Sequence, residues 1–210
     1  MANTITTLRL VLLFATVWIA YRASPAWQLA VAPALILIFA LDALDGWIAR
    51  NFHEESLFGS IYDIAADRIV ENVLWIVLAD MGLVPLWITL VFITRGILVD
   101  AVRSVGASRG RNPFELGTSG VGRFLVGSRL MRGAYGVTKA LTFVWIFLLR
   151  PWPVLAPERW AQWQPQLEFV TAALVHLAVL MCIARALPVL LEFGPREGRL
   201  IGLRPRRARP

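Results

Sequence analysis

The sequence contains few of the residues that form disulfides or zinc sites. It has one cysteine, Cys182, and two histidines, His53 and His176, which lie far apart along the chain. A single cysteine excludes an intrachain disulfide, and two isolated histidines lack the ligand spacing of a zinc site. Lysine is almost absent too, since Lys139 is the only lysine among 21 basic residues.

Apolar residues are abundant instead. They make up 58% of the 210 residues, and the mean hydropathy is +0.64, which indicates a polytopic helical membrane protein rather than a soluble domain. This length suits about six membrane spans and leaves no room for a separate soluble domain. We therefore predict an all-α fold with one six-helix membrane domain over residues 1–193 and a basic, disordered tail over residues 194–210. The predicted helices cover residues 5–22, 28–50, 58–82, 84–106, 130–150 and 166–192.

The positive charge is distributed unevenly between the predicted connections. A net charge of +7 and a pI near 10.9 are typical of nucleic-acid-binding proteins, but here the arginines follow membrane topology. The odd-numbered connections are nearly free of them. The even-numbered connections and the tail hold Arg50, Arg103, Arg109, Arg111, Arg123, Arg129, Arg132 and the arginines from Arg196 onward. By the positive-inside rule, we expect both termini on the cytoplasmic side of a prokaryotic inner membrane and no nucleic-acid partner.

Four aspartates stand at helical spacings inside this apolar sequence. Asp42 and Asp45 belong to the second predicted helix, and Asp63 and Asp67 to the third, across the short polar loop 51–56. Such a hairpin sets the two helices side by side, so the two pairs face each other near one end of the bundle. Because each Asp at a bilayer centre costs about 2.5–3.5 kcal/mol, a bound cation should neutralise them. Oxygen ligands favour a hard divalent cation such as Mg²⁺ or Mn²⁺.

The segment 42–67 matches every fixed position of the pattern D-x2-D-G-x2-A-R-x8-G-x3-D-x3-D. This pattern resembles the signature of the CDP-alcohol phosphotransferase family, the class I CDP-alcohol phosphatidyltransferases. The resemblance implies a six-helix integral membrane enzyme, usually a homodimer within membrane lipid. It also implies transfer of a substituted phosphate from a CDP-alcohol, commonly CDP-diacylglycerol, to an acceptor hydroxyl, with release of CMP.

The same resemblance assigns roles to individual residues. It implies that two divalent cations, Mg²⁺ or Mn²⁺, are held by Asp42, Asp45, Asp63 and Asp67. Asp67 would also take the proton from the acceptor hydroxyl, for which a base must lie within hydrogen-bond reach. Gly46 and Gly59 would let the nucleotide lie close to the backbone, and Arg50 would pair with a phosphate. The residues implied in CDP-alcohol binding are Asn3, Thr6, Gly46, Arg50, Ser56 and Gly59.

Weaker similarities extend to bacterial phosphatidylglycerophosphate synthases. The opening Asn-x2-Thr-x2-Arg, which ends at Arg9, is similar to theirs, as are Thr94-Arg95 and the segment 136–139. They imply a basic pocket for a phosphorylated acceptor such as sn-glycerol 3-phosphate. Its members would be Arg95, Arg103, Arg132 and Lys139, although arginines near helix ends also extend toward lipid headgroups.

Other features leave the acceptor open. Ile64 and Arg68 stand where many of those synthases have proline and lysine, and Asp67-Arg68 resembles phosphatidylinositol-phosphate synthases. Asp100 stands where a small hydroxyl residue is more typical of those synthases. Phosphatidylglycerol and serine are further possible acceptors. Glu71, one turn beyond Asp67, is predicted to pair with Arg68 rather than to support the metal site.

Two interpretations outside catalysis compete with this one. Intramembrane carboxylates also mark cation pathways, so a cation-coupled transporter is the main alternative. The carboxylates gather near one membrane face, however, and the chain lacks the inverted repeat that transporters show. An inactive structural relative is disfavoured because four retained aspartates would carry a burial cost without compensating ions.

Overall fold

A computed structural model of the chain describes residues 2–51, 57–108 and 122–193. Within these residues the backbone is helical and contains no strand, so the all-α prediction is confirmed. Each of the six predicted segments overlaps one of the long helices in the described residues. These are α1 (Ala2–Arg22), α3 (Val31–Asn51), α4 (Leu57–Asp80), α5 (Leu86–Ser108), α6 (Arg129–Leu149) and α8 (Pro157–Phe193), with single turns α2 (Pro25–Gln28) and α7 (Trp152–Leu155) between them.

Three stretches of the described chain are long and apolar enough to cross a membrane: Asn3–Arg22, Pro25–Asp45 and Pro157–Leu191. The outward face of α1 carries large exposed apolar side chains, namely Leu8, Val11, Phe14 and Trp18. Apolar surface of this extent is typical of a face in contact with lipid. The chain is therefore a membrane protein. Six spans, cytoplasmic termini and a single domain over 1–193 stay predictions, and the tail 194–210 lies outside the described residues.

The ends of the helices follow local chemistry. After α4, Gly82 adopts φ +69°, a left-handed conformation that favours glycine. The amides of Gly82 and Leu83 donate to the carbonyls of Ala79 and Leu78, so the helix ends in a Schellman motif. Helix α8 begins at Pro157 rather than near residue 166 as predicted. A proline needs no amide partner in the first turn, which explains the earlier start.

Residues 2–51, 57–90 and 138–177 form one compact unit. Here α1 packs against α3 and α4, and its buried stripe repeats every three to four residues: Thr6, Arg9, Leu13, Thr16 and Ala20. The ring of Trp75 on α4 meets that of Phe143 on α6 edge to face at 4.8 Å, and Thr89 Oγ1 donates to the Trp75 carbonyl at 2.9 Å. This packing fixes the helices that carry the aspartates.

Residues 91–108, 122–137 and 178–193 form a second compact unit. Its described core contains Val99, Val126, Ala186 and Val189. A π-helical turn, Arg123–Gly127, precedes α6, and Arg185 donates to the carbonyl of Leu125 within that turn at 2.7 Å. Backbone irregularities of this kind leave carbonyls for side chains to satisfy, and they occur often near functional sites.

A candidate active site on three helices

Carboxylates from α3 and α4 converge in the first unit. Asp42, Asp63 and Asp67 each offer one oxygen, and these oxygens lie within 4.8 Å of one another. Residues three or four apart share one face of a helix, so each helix presents its aspartates toward the other. The fourth carboxylate, Asp45, is buried, and its Oδ2 accepts a hydrogen bond of 3.1 Å from Thr6 Oγ1. Helix α1 thereby contacts the same cluster.

The side chain of Arg9 lies among all four carboxylates and is only 1% exposed. Its Nη2 lies 2.7 Å from Asp67 Oδ1 and 3.8 Å from Asp63 Oδ1. Its Nη1 contacts Asp42 Oδ1 and lies 3.7 Å from Asp45 Oδ2. One guanidinium cannot neutralise four carboxylates, so an excess of negative charge remains.

The sequence analysis names Arg9 only as the end of the N-terminal motif and does not connect it with the aspartates. A signal for its position was present, because Thr6, Arg9 and Leu13 fall on one stripe of an otherwise apolar helix. A charged residue on the buried stripe of a membrane helix needs an opposite charge nearby. The four aspartates are the obvious partners.

The cluster is open at one side and closed at the other. The side chain of Asp45 is 4% exposed, whereas that of Asp67 is 54% exposed. Asp42 and Asp63 are intermediate. Convergent, all-oxygen donors with an excess of negative charge and an accessible edge fit a hard divalent cation.

A second ionic cluster begins one turn beyond Asp67. The buried Glu71 Oε2 lies 3.1 Å from Arg68 Nη1 and 2.8 Å from Lys139 Nζ on α6. The predicted pairing of Glu71 with Arg68 is confirmed. The ammonium of Lys139, which the sequence assigns to acceptor binding, is held by a carboxylate that the prediction did not connect with it.

In the second unit, two arginines share one aromatic ring. The Cζ atoms of Arg95 and Arg185 lie 5.4 Å and 5.6 Å from the centroid of the Tyr135 ring, within cation–π range. Arg95 is 8% exposed, and no carboxylate pairs with it within residues 2–51, 57–108 and 122–193. Sequence reasoning missed Tyr135 and Arg185, although an arginine in the middle of an apolar helix such as α8 is itself a signal.

The remaining predicted site residues are described only in part. Ser56 lies outside the described residues, and the structure describes the backbone but not the side chains of Gly46, Arg50 and Arg103. The other three lie in first turns: Asn3 in α1, Gly59 in α4 and Arg132 in α6.

Comparisons with known proteins agree with this chemistry. Residues 1–191 match the family model described as CDP-alcohol phosphatidyltransferase. The chain is 33% identical over 86 residues to the CDP-diacylglycerol--glycerol-3-phosphate 3-phosphatidyltransferase of Bacillus subtilis, which covers 41% of this chain and 45% of that protein. It is 32% identical over 109 residues to a putative cardiolipin synthase of Mycobacterium tuberculosis, 51% of each chain.

A longer match is to the archaetidylinositol phosphate synthase of Aeropyrum pernix, 30% identical over 155 residues, which covers 66% of this chain and 78% of that protein. For the Bacillus and Mycobacterium proteins, this chain spans about half of their length. The names of the three relatives differ, so the comparisons leave the acceptor open.

Proposed function

Because the chain belongs to the CDP-alcohol phosphatidyltransferase family, we propose that it transfers a phosphatidyl group from CDP-diacylglycerol to a small phosphorylated alcohol. The acceptor that fits best is sn-glycerol 3-phosphate. The acceptor oxygen forms a bond to the phosphatidyl phosphorus, the bond from that phosphorus to CMP breaks, and the hydroxyl proton leaves to a base. The observation that carries this proposal is the convergence of the aspartate oxygens within 4.8 Å.

The four aspartates are the proposed ligands of two divalent cations, Mg²⁺ or Mn²⁺. When bound, such ions neutralise a pyrophosphate and stabilise the departing oxygen of CMP. Asp45, buried and hydrogen-bonded to Thr6, holds a fixed position at the closed side of the cluster. Asp67 is the proposed base because it is the most exposed of the four, so an acceptor hydroxyl can reach it.

The nucleotide is proposed to bind along the same end of the first unit. Thr6 already contacts the cluster, and Gly59 lies in the first turn of α4, four residues before Asp63. The complete proposed set for the CDP moiety is Asn3, Thr6, Gly46, Arg50, Ser56 and Gly59.

A phosphorylated acceptor is favoured by the environment of Arg95. A buried guanidinium without a carboxylate partner in the described residues is suited to an anion, and its fork of donors matches a phosphate. Arg185 adds a second positive charge beside the same Tyr135 ring. Arg103, Arg132 and Lys139 are the other proposed acceptor residues. Homodimer formation and a cytoplasm-facing site in a prokaryotic inner membrane are also part of the proposal.

The decisive experiment measures CMP release by the purified protein with CDP-diacylglycerol and either Mg²⁺ or Mn²⁺. Glycerol 3-phosphate, inositol phosphate, serine and phosphatidylglycerol are supplied in separate reactions. We expect metal-dependent CMP release that is fastest with glycerol 3-phosphate. Release with inositol phosphate alone would reassign the acceptor. No release with any of the four, together with cation flux in proteoliposomes, would favour a transporter.

A further inference from the structure

The strongest unassigned feature of the molecule is the position of Arg9. This side chain is almost fully buried, and both terminal nitrogens of its guanidinium face carboxylates, Nη1 those of α3 and Nη2 those of α4. Within the described residues, no other basic side chain pairs with the four aspartates. Among the described residues, Arg9 therefore supplies the positive charge that these carboxylates receive.

The oxygens that Arg9 contacts are among those that a divalent cation would need. Asp42 and Asp67 belong to the converging group of three, and both accept from the guanidinium. A cation held by those carboxylates would lie next to a fixed positive charge of the same sign. Like charges a few ångströms apart repel, so the guanidinium and the metal oppose each other at this site.

We propose that Arg9 is the resident counter-cation of the aspartate cluster and that it competes with divalent cations for the carboxylate oxygens. The inference rests on the proposed metal site. When no metal is bound, Arg9 offsets the mutual repulsion of the four carboxylates. Metal binding displaces the guanidinium from those oxygens, so the arginine favours the carboxylates without metal and weakens their affinity for it.

A competing role and a ligand-orienting role of Arg9 predict opposite changes in metal affinity when its charge is removed. If Arg9 competes with the metal, removing its charge strengthens metal binding. If Arg9 instead holds the carboxylates in a binding geometry, removing it weakens metal binding. A purely structural role would lower thermal stability by the same amount with and without metal.

The test titrates Mn²⁺ into the purified full-length protein and follows free Mn²⁺ by electron paramagnetic resonance, with melting temperatures measured in parallel. For Arg9→Gln we expect the dissociation constant of Mn²⁺ to fall about tenfold or more, since a nearby positive charge is removed. We also expect a lower melting temperature without metal and a larger rise on adding Mn²⁺ than in the wild type. Arg9→Lys keeps the charge but loses the planar fork that reaches both helices. Its Mn²⁺ affinity should therefore lie between those of the wild type and Arg9→Gln.

Arg150→Gln is the matched control. Arg150 belongs to the same unit, but its guanidinium donates to the carbonyl of Ala20 and not to the aspartates. The Mn²⁺ affinity of the Arg150→Gln variant should equal that of the wild type. Unchanged or weaker Mn²⁺ binding in Arg9→Gln would overturn the inference but not the proposed metal site. If only Arg9→Lys folds, the same result in that variant would have the same meaning. A wild type that binds no Mn²⁺ would overturn both.

Discussion

Lys139 on α6 forms an ion pair with Glu71 on α4, with 2.8 Å between Nζ and Oε2. Glu71 also accepts from Arg68, so one buried carboxylate serves two cations one turn beyond Asp67. This arrangement ties α6 to the helix that carries half of the aspartate cluster.

Glu71→Gln should therefore destabilise the protein. The substitution leaves two positive charges without their buried partner, and a loss of about 1–3 kcal/mol in the free energy of unfolding is expected. Denaturation in detergent measures the loss, and a double-mutant cycle with Lys139→Met isolates the coupling between the two residues. Glu168→Gln is the control, because Glu168 is exposed and its contact is with Gln164. Equal stability in Glu71→Gln and the control would show that the pair contributes nothing.

Asp67→Asn should abolish most of the activity while the fold is retained. The amide has the same shape as the carboxyl group and the site is half exposed, so little packing changes. Loss of a general base typically costs about 10²–10⁴-fold in rate. CMP release at saturating substrates gives the rate, and the melting temperature reports the fold. A variant with full turnover would remove Asp67 as both base and ligand.

Removing divalent cations should have the same effect as removing their ligands. Chelation is expected to stop CMP release in the wild type, since four carboxylates that face a pyrophosphate would repel it without compensating ions. Adding back Mg²⁺ or Mn²⁺ should restore release, whereas monovalent salt at the same ionic strength should not. Activity that persists after exhaustive chelation would contradict the metal assignment.

Arg95→Gln should affect the acceptor far more than CDP-diacylglycerol. If its guanidinium binds the acceptor phosphate, losing that charged hydrogen bond should raise the acceptor KM by about 10–100-fold. The KM for CDP-diacylglycerol should change little. Arg159→Gln, an exposed arginine of α8, is the control for lost charge. Equal increases in both KM values would dismiss the acceptor assignment.

The sequence predicts much of this architecture because its strongest signals are local. Long apolar runs identify the helices, and spacings of three and four place Asp42 with Asp45 and Asp63 with Asp67. The short connection between the two predicted helices then predicts that the two pairs lie close together. The early start of α8 was missed because Trp160 to Gln166 contains little of the apolar periodicity on which the prediction depended.

Contacts between helices distant in sequence are harder to predict. The reach of Arg9 to Asp67 and the pairing of Glu71 with Lys139 depend on how helices rotate against each other, and a single sequence does not fix that rotation. The same holds for Tyr135, whose two arginine neighbours come from α5 and α8. Such residues are recognisable as charged or aromatic side chains on apolar helices, but their partners are not.

The hydrogen bond from Arg185 to the Leu125 carbonyl has a consequence for the rigidity of the second unit. It fastens the π-helical turn before α6 to α8, and the same guanidinium also lies against the Tyr135 ring. The direction in which this guanidinium points is therefore set by the backbone and by an aromatic ring together. A lysine at position 185, with a single rotating ammonium in place of the planar fork, would keep the charge and lose that fixed orientation.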